Sequence, residues 1–330
     1  MKKILYIATG GTIASINKGT GLEPGLNTSD VLNYCPDIKG LCEIDSVQPI
    51  NLDSTNIRPG HWIILANTIS KNYNNYDGFV ISHGTDTMSY TAAALSYLIQ
   101  DNRKPIVITG AQKPINEIGS DAIKNITDAF VYACDDDSVG VQIVFFGSVI
   151  AGTRARKNYS KSYSAFGSIN FPELARVNDK KIVRYITEEK PTQVKFYDFL
   201  NPNVGLIKFT PGMSVDVLSY IIDQYDGLII ESYGLGGLPE YSDFYEEIKR
   251  ATNIGKIIVM TTQVANEGSN MSVYKVGTSV KGSLNILEAY DLTSEAALTK
   301  LMWCLGQSNK FEGISKMFYK TIGHDMLLNK

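Results

Sequence analysis

YIATGGTIAS, Tyr6 to Ser15, begins as a buried strand and breaks at two consecutive glycines, with a threonine immediately after them. Gly10 and Gly11 permit a tight turn and a close backbone approach. Thr12 then stands where a strand ends, which is where open α/β sheets bind their ligands. The turn matches neither the dinucleotide pattern GxGxxG nor the P-loop pattern GxxxxGK[ST]. Two readings of Thr12 stay open on these residues alone: a turn residue, or the reactive hydroxyl of an enzyme.

Outward from this stretch the chain alternates short apolar runs with helical periodicity. Strands are expected at Lys3–Ala8, Phe79–Ser82, Pro105–Thr109 and Val141–Phe146. Helices are expected at Arg58–Lys71, at Thr87–Gln100 and after Ser120 as a cap, each with apolar residues at helical spacing. Short buried strands between helices imply a mainly parallel sheet covered on both faces. The rhythm weakens between Asn178 and Asn203, where Glu188-Glu189-Lys190-Pro191 suits a linker. It resumes with strands at Leu206–Phe209, Gly227–Glu231 and Lys256–Thr262 and helices at Ser214–Tyr225, Asp243–Thr252 and Ser294–Leu305. The expected architecture is α/β: a larger N-terminal domain over 1–187, a linker over 188–202, and a smaller C-terminal domain with its own parallel sheet over 203–330.

With 330 residues, 44% of them hydrophobic, two such domains can each bury a core. A formal net charge of -3 gives no basic footprint for nucleic acid or an anionic membrane. The apolar run behind Lys2-Lys3 is cut off by Gly10 and is too short for a signal peptide. The stretch Val139 to Gly152 contains Gln142 and Ser148 and is too short and too polar to span a bilayer. Cys35, Cys42, Cys134 and Cys304 form no CxxC pair, which fits a reducing, cytoplasmic setting and argues against a disulfide framework or a zinc site. Asp135-Asp136-Asp137 reads as a solvated turn.

Ser82-His83-Gly84-Thr85-Asp86-Thr87-Met88 again follows a buried strand and opens a helix. Backbone N–H groups at such a start can hold a carboxylate or a developing oxyanion; the plainer reading is that Asp86 or Thr87 caps the helix. Thr153-Arg154-Ala155-Arg156-Lys157 follows the strand near Phe146. If this loop folds over the strand ends, a lysine there can assist proton transfer. No GxSxG elbow is present. His61 lies beside core-facing Trp62, His324 lies near the C-terminus, and His83 reads as a hydrogen-bonded structural residue, so a histidine base is not favoured. A threonine hydroxyl needs another group to take its proton. Thr85, Asp86 and Lys157 offer a relay hydroxyl, an acid that holds the lysine, and the lysine as base.

Thr9-Gly10-Gly11-Thr12-Ile13-Ala14 together with His83-Gly84-Thr85-Asp86-Thr87-Met88 closely resemble the two signatures of bacterial L-asparaginases, and the resemblance runs over nearly the whole chain. It includes Asp53-Ser54-Thr55, Asp77-Gly78-Phe79-Val80, Thr153-Arg154 through Lys157, Ser232-Tyr233-Gly234 and Leu298 through Trp303. The resemblance implies L-asparagine as small-molecule substrate and Thr12 as the nucleophile that attacks its side-chain amide. It also implies Thr85, Asp86 and Lys157 as the second catalytic group, and a binding set of Gly11, Ser54, Thr55, Gly84, Thr85 and Asp86. It further implies two α/β domains, a homo-oligomer of dimer or tetramer form, no metal or organic cofactor, and the cytoplasmic, type I branch.

Two positions depart from the family pattern. Leu22 stands where many members carry a lid tyrosine, in the glycine-containing segment Asn17–Gly25. Glu231 stands where some cytoplasmic members carry an arginine that binds a regulatory asparagine, so a regulatory site of that form is not expected. Three other functions compete: a glutaminase-asparaginase of mixed specificity, the ammonia-generating subunit of a tRNA amidotransferase, and a non-catalytic amino-acid- or nucleotide-binding α/β protein. The amidotransferase subunits carry an added N-terminal domain, for which a first strand at Lys3 leaves no room.

Overall fold

Four of the five strands Glu43–Val47, Lys3–Ala8, Gly78–Ser82, Pro105–Thr109 and Gly140–Phe145 are runs of β-branched and aromatic residues, and all five lie side by side in that order, all parallel. They belong to the first of two compact units, Met1–Asp198 and Phe199–Lys330, in a computed structural model that describes residues 1–17, 22–273 and 284–327. In chain order these strands run 2-1-3-4-5, the arrangement in which a crevice opens at the carboxyl ends where the connections diverge from the first strand. Alternate residues of each strand face opposite sides. Tyr6, Val80, Val107 and Val144 pack under the helix Ala122–Ala133, against Ile126 and Phe130. On the other side the helix Met88–Leu98 lies over Pro105–Thr109 and Gly140–Phe145 and packs against Pro59–Asn72. Each large apolar side chain buried this way contributes about 1.5–3 kcal/mol.

Three antiparallel strands extend the sheet to eight. Ser148–Ala151 turns back from Gly140–Phe145, and Ala175–Asn178 and Lys181–Arg184 follow. Both tight hairpins have two consecutive residues at positive φ, Phe146 (49°) with Gly147 (83°) and Asp179 (49°) with Lys180 (61°), the backbone that matches strand twist. The expected strand end at Phe146 therefore falls one residue short. The helix expected over Thr87–Gln100 stops at Leu98, because Ile99–Gln100 pairs with Lys195–Phe196. Ser120 lies two residues ahead of its helix, accepting a hydrogen bond from the Ala122 N–H at 3.1 Å. The intervening Asp121 turns its carboxylate toward the N–H groups of Gln112 and Lys113. The acidic run is tied down: Asp135 pairs with Arg184, and Asp136 with Lys2 at 2.8 Å.

The second unit holds four parallel strands in the order Val204–Lys208, Gly227–Ser232, Ile257–Thr262, Ile286–Glu288. Helices Val215–Gln224 and Phe244–Asn253 cover one face through Leu218, Ile222, Phe244 and Ile248. Ser214 and Thr293 cap the helices Val215–Gln224 and Ser294–Gln307 with their hydroxyls. Lys300, inside Ser294–Gln307, is wholly buried and donates to Asp325 at 2.5 Å and to the Lys320 carbonyl at 2.8 Å. That pair pins the segment beyond the helix Phe311–Phe318. Among the described residues no helix is long and apolar enough to cross a membrane.

Candidate active site

The first and third strands of the 2-1-3-4-5 order are neighbours, and each carries one glycine-threonine signature past its carboxyl end. Gly11, at φ 79°, lies so close to Gly84 that a Cβ on it would stand 2.5 Å from the Gly84 nitrogen. A Cβ on Gly84 would stand 2.6 Å from Ser54 Oγ. Only glycine fits at either place. Three chain segments therefore meet at 11, 54 and 84, and Thr12 and Thr85 are the next residues after the Gly11–Gly84 contact. Thr12 opens a 3₁₀ turn, Thr12–Ala14, and its side chain is half-buried. Thr87 donates its hydroxyl to the Ser54 carbonyl at 2.8 Å, closing the junction from the other side.

Lys157 reaches the same place from a short hairpin of Ala155–Lys157 with Phe166–Ser168. Its ammonium donates to Thr85 Oγ1 at 2.8 Å and to Asp86 Oδ1 at 2.7 Å. Thr85 is buried, Lys157 mostly so, and the Asp86 side chain is 56% exposed. The cations of this stretch thus divide: Arg154 is wholly buried, with its guanidinium 5.6 Å from the Phe171 ring centre and donating to the Ile169 carbonyl. It anchors the arm from which Lys157 projects.

Ser54 is buried against Gly84, whereas Thr55 is exposed and its N–H and hydroxyl both donate to Asp53, at 2.8 and 2.7 Å. The Gly11 N–H donates to the Leu52 carbonyl at 3.0 Å, so it is not available to an oxyanion. The Thr12 N–H, at the start of its turn, has no acceptor within that turn.

His83 packs behind the site with no exposure. Its Nδ1–H donates to the Gly84 carbonyl at 2.7 Å, since a carbonyl only accepts, and its Nε2 accepts from the Thr91 hydroxyl at 2.9 Å. Thr91 in turn accepts from Trp62 Nε1 at 3.0 Å. Burial, only partly opposed by the bond to Gly84, lowers the His83 pKa to about 4. The ring is a neutral brace for the second signature.

Gln112 escaped the sequence reading. It lies three residues past the strand Pro105–Thr109, at the same carboxyl edge as the two signatures. Thr85 donates to its Oε1 at 3.4 Å, its Nε2 donates to the Ser162 carbonyl at 3.0 Å, and its N–H is held by Asp121. The signal for it was position alone, a polar side chain at the end of a parallel strand. Residues 18–21 of the expected lid lie outside the described residues, as does the side chain of Leu22. The backbones of Ser15–Asn17 and Leu22–Pro24 pair antiparallel. Glu231 is buried and accepts from the Ser294 hydroxyl.

Known proteins resemble this chain along both of its units. The family model "Asparaginase, N-terminal" matches residues 3–190 and "Glutaminase/Asparaginase C-terminal domain" matches 203–318. An L-asparaginase of Thermococcus kodakarensis is 36% identical over 98% of this chain and 99% of its own length, and its solved structure superposes with a TM-score of 0.94 over 99% of this chain and 100% of that one. L-asparaginase I of Vibrio cholerae superposes at 0.87 with 29% identity, covering 99% of each chain. One component of the glutamyl-tRNA(Gln) amidotransferase of Methanosphaera stadtmanae is 35% identical over 98% of this chain, which spans 77% of that component. Matched along both of its units, the chain belongs to the asparaginase family.

Proposed function

We propose that the protein hydrolyses L-asparagine to L-aspartate and ammonia, with Thr12 as the nucleophile. The observation that carries this reading is the hydrogen-bonded set of Lys157, Thr85 and Asp86 directly beyond the Gly11–Gly84 contact. Thr12 Oγ1 attacks the amide carbon of the substrate. The developing oxyanion takes hydrogen bonds from backbone N–H groups near Gly11 and Thr85. With the Gly11 N–H spent on Leu52, the donor on the first signature is Thr12 itself. The C–N bond breaks, the leaving nitrogen takes up the proton that the Thr12 hydroxyl gives up, ammonia departs, and an ester on Thr12 remains. Water activated through Thr85 and Lys157 then releases aspartate.

Lys157 donates both of its hydrogen bonds in this arrangement. It can accept the Thr85 proton only after giving one up, and the Asp86 carboxylate at 2.7 Å is the acceptor within reach. Asp86 also faces the substrate's α-ammonium, and Ser54 and Thr55 lie in the segment that takes its α-carboxylate and α-amino ends. We place the protein in the cytoplasmic, type I branch as a homodimer or homotetramer acting on a free amino acid rather than on nucleic acid or at a membrane. The similarity to L-asparaginase I of Vibrio cholerae supports the branch.

The match to the amidotransferase component favours a second reading, in which the same chemistry feeds ammonia to a partner protein. One assay separates the readings: ammonia release by the purified full chain from asparagine and from glutamine. We expect release from asparagine without any partner, with glutamine slower by about 10–200-fold, the discrimination available from one methylene. Equal rates would mean a mixed glutaminase-asparaginase. Release that requires a partner protein would favour the amidotransferase role, and release from neither amide would overturn both.

A further inference from the structure

Asp121 stands at the N-cap of the helix Ala122–Ala133, yet its side chain caps nothing there. Its carboxylate, almost wholly buried, is spent instead on the turn that follows the strand Pro105–Thr109. Oδ1 and Oδ2 both accept from the Gln112 N–H at 3.0 Å, Oδ1 also accepts from the Lys113 N–H at 3.2 Å, and Oδ2 accepts from Asn125 Nδ2 at 3.0 Å. Asn125, wholly buried in the helix, carries the hold further. Its Nδ2 also donates to the Gly110 carbonyl at 2.9 Å, and its Oδ1 accepts from the Phe146 N–H at 2.8 Å. The second signature rests against Gly110, where a Cβ would stand 2.3 Å from the His83 carbonyl oxygen. The Phe146 ring lies 6.3 Å from that of Tyr163, in the turn of the hairpin that carries Lys157. Gln112 Nε2 donates to Ser162 in the same turn. The contacts close on themselves, from Asp121 through Gln112, Ser162-Tyr163, Phe146 and Asn125 back to Asp121.

We infer that Asp121 and Asn125 are positioning residues for the reaction, a buried brace that fixes the Gln112 side chain against Thr85. Its catalytic meaning rests on the amidohydrolase reading proposed above; the brace itself does not. A hydroxyl has one proton and two lone pairs. Thr85 gives its proton to Gln112 Oε1 and takes the Lys157 ammonium on one lone pair. The other lone pair is left to accept from the attacking water, so Gln112 sets the direction in which Thr85 receives it. At 3.4 Å the Thr85–Gln112 bond is too long to hold Gln112 in place by itself. The strong bonds on this residue are the charge-assisted ones from its backbone to the Asp121 carboxylate. Held by Asp121 at its main chain and by Ser162 at its amide, Gln112 is fixed at both ends.

The test is a double-mutant cycle on the full chain with Asp121→Asn, Gln112→Ala and the two combined. Two quantities are read: kcat and KM for ammonia release from asparagine, and the Thr85 methyl resonance in threonine-methyl-labelled protein, assigned by its loss in Thr85→Ser. Asp121→Asn keeps the shape, but a side-chain amide accepts at only one of its two atoms, so either the Gln112 turn or Asn125 loses its partner. We expect each single variant to lower kcat about fivefold with KM unchanged, and the combined variant to lower it by no more than the same fivefold. The Thr85 resonance should move in the same direction in all three. A loss of about 25-fold in the combined variant, the product of two independent effects, would overturn the proposal. So would a Thr85 resonance that Asp121→Asn leaves in place. Should Asp121→Asn not fold, Ser120→Ala loosens the same turn by removing the hydroxyl between the Lys113 carbonyl and the Ala122 N–H. A shifted Thr85 resonance there supports the brace, and an unshifted one overturns it. A wild-type chain that releases no ammonia from asparagine would sink the amidohydrolase reading alone, because the resonance still decides whether the brace acts on Thr85.

Discussion

Two lysine–aspartate pairs, one in each unit, contrast a closed ion pair with an open one. Lys300 and Asp325 are both fully buried, and the bonds they make close on the protein: the lysine on Asp325 and the Lys320 carbonyl, the aspartate also on the Ile322 N–H. Lys157 and Asp86 are joined at nearly the same distance, but the carboxylate stands in solvent and the ammonium shares itself with a hydroxyl. The buried pair is closed to solvent and serves to hold a chain segment. The half-open pair keeps its carboxylate in contact with solvent and its ammonium on the Thr85 hydroxyl.

Removal should therefore damage different properties in the two units. Thr12→Ala and Lys157→Met should each lower kcat by about 10³-fold or more, measured as ammonia release. The midpoint of urea unfolding should hardly move for Lys157→Met, because a half-exposed pair is worth about 0–1 kcal/mol. Lys300→Ala should do the reverse. It takes the ammonium away from the buried Asp325 carboxylate and should cost about 3–5 kcal/mol of stability, while the fraction that stays folded keeps its turnover. Joint replacement by Lys300→Met and Asp325→Leu should restore most of that loss. Full activity in Lys157→Met, or no destabilisation in Lys300→Ala, would erase the contrast.

His83 sharpens it through pH. Its folded pKa is about 4, against about 6.5 in an unfolded chain. Between those values the unfolded state binds more protons, so stability rises with pH across the window and is lost as pH falls from about 6.5 to 4. The size is about 3 kcal/mol from this one ring. Urea titrations between pH 4 and 7 should show the slope, and His83→Gln should flatten it. The smallest effect concerns Gln112, whose bond to Thr85 is long at 3.4 Å. Gln112→Ala should reduce kcat by about fivefold with little change in KM, the loss of one net hydrogen bond of about 1 kcal/mol. An unchanged kcat would remove Gln112 from the site.

How much of this was legible follows from where each residue stands. The central strands announced themselves because both of their faces are covered, as in Gly78–Ser82 and Pro105–Thr109, and the two glycine-threonine stretches were visible past the ends of neighbouring strands. Glu43–Val47 did not, because an edge strand with mostly exposed side chains reads as polar loop. The hairpins at Phe146–Gly147 and Asp179–Lys180 were missed for lack of the usual Asn-Gly turn; phenylalanine and lysine hold positive φ there under tertiary constraint. The burial of Arg154 was hidden by its neighbours, since three cations in five residues look solvated. Gln112 depends on side chains meeting from distant segments, Thr85 and the Ser162 carbonyl, which no local pattern encodes.

The adjacency of the first and third strands has a thermodynamic consequence. Two parallel strands joined by an unbroken ladder cannot drift apart, so the spacing between the glycine turns that end them is as stiff as the sheet. A small, flexible amino acid offers few atoms with which to offset any reorganisation of its host. A floor held in advance at that spacing lets even so slight a ligand spend its contacts on orientation and reaction.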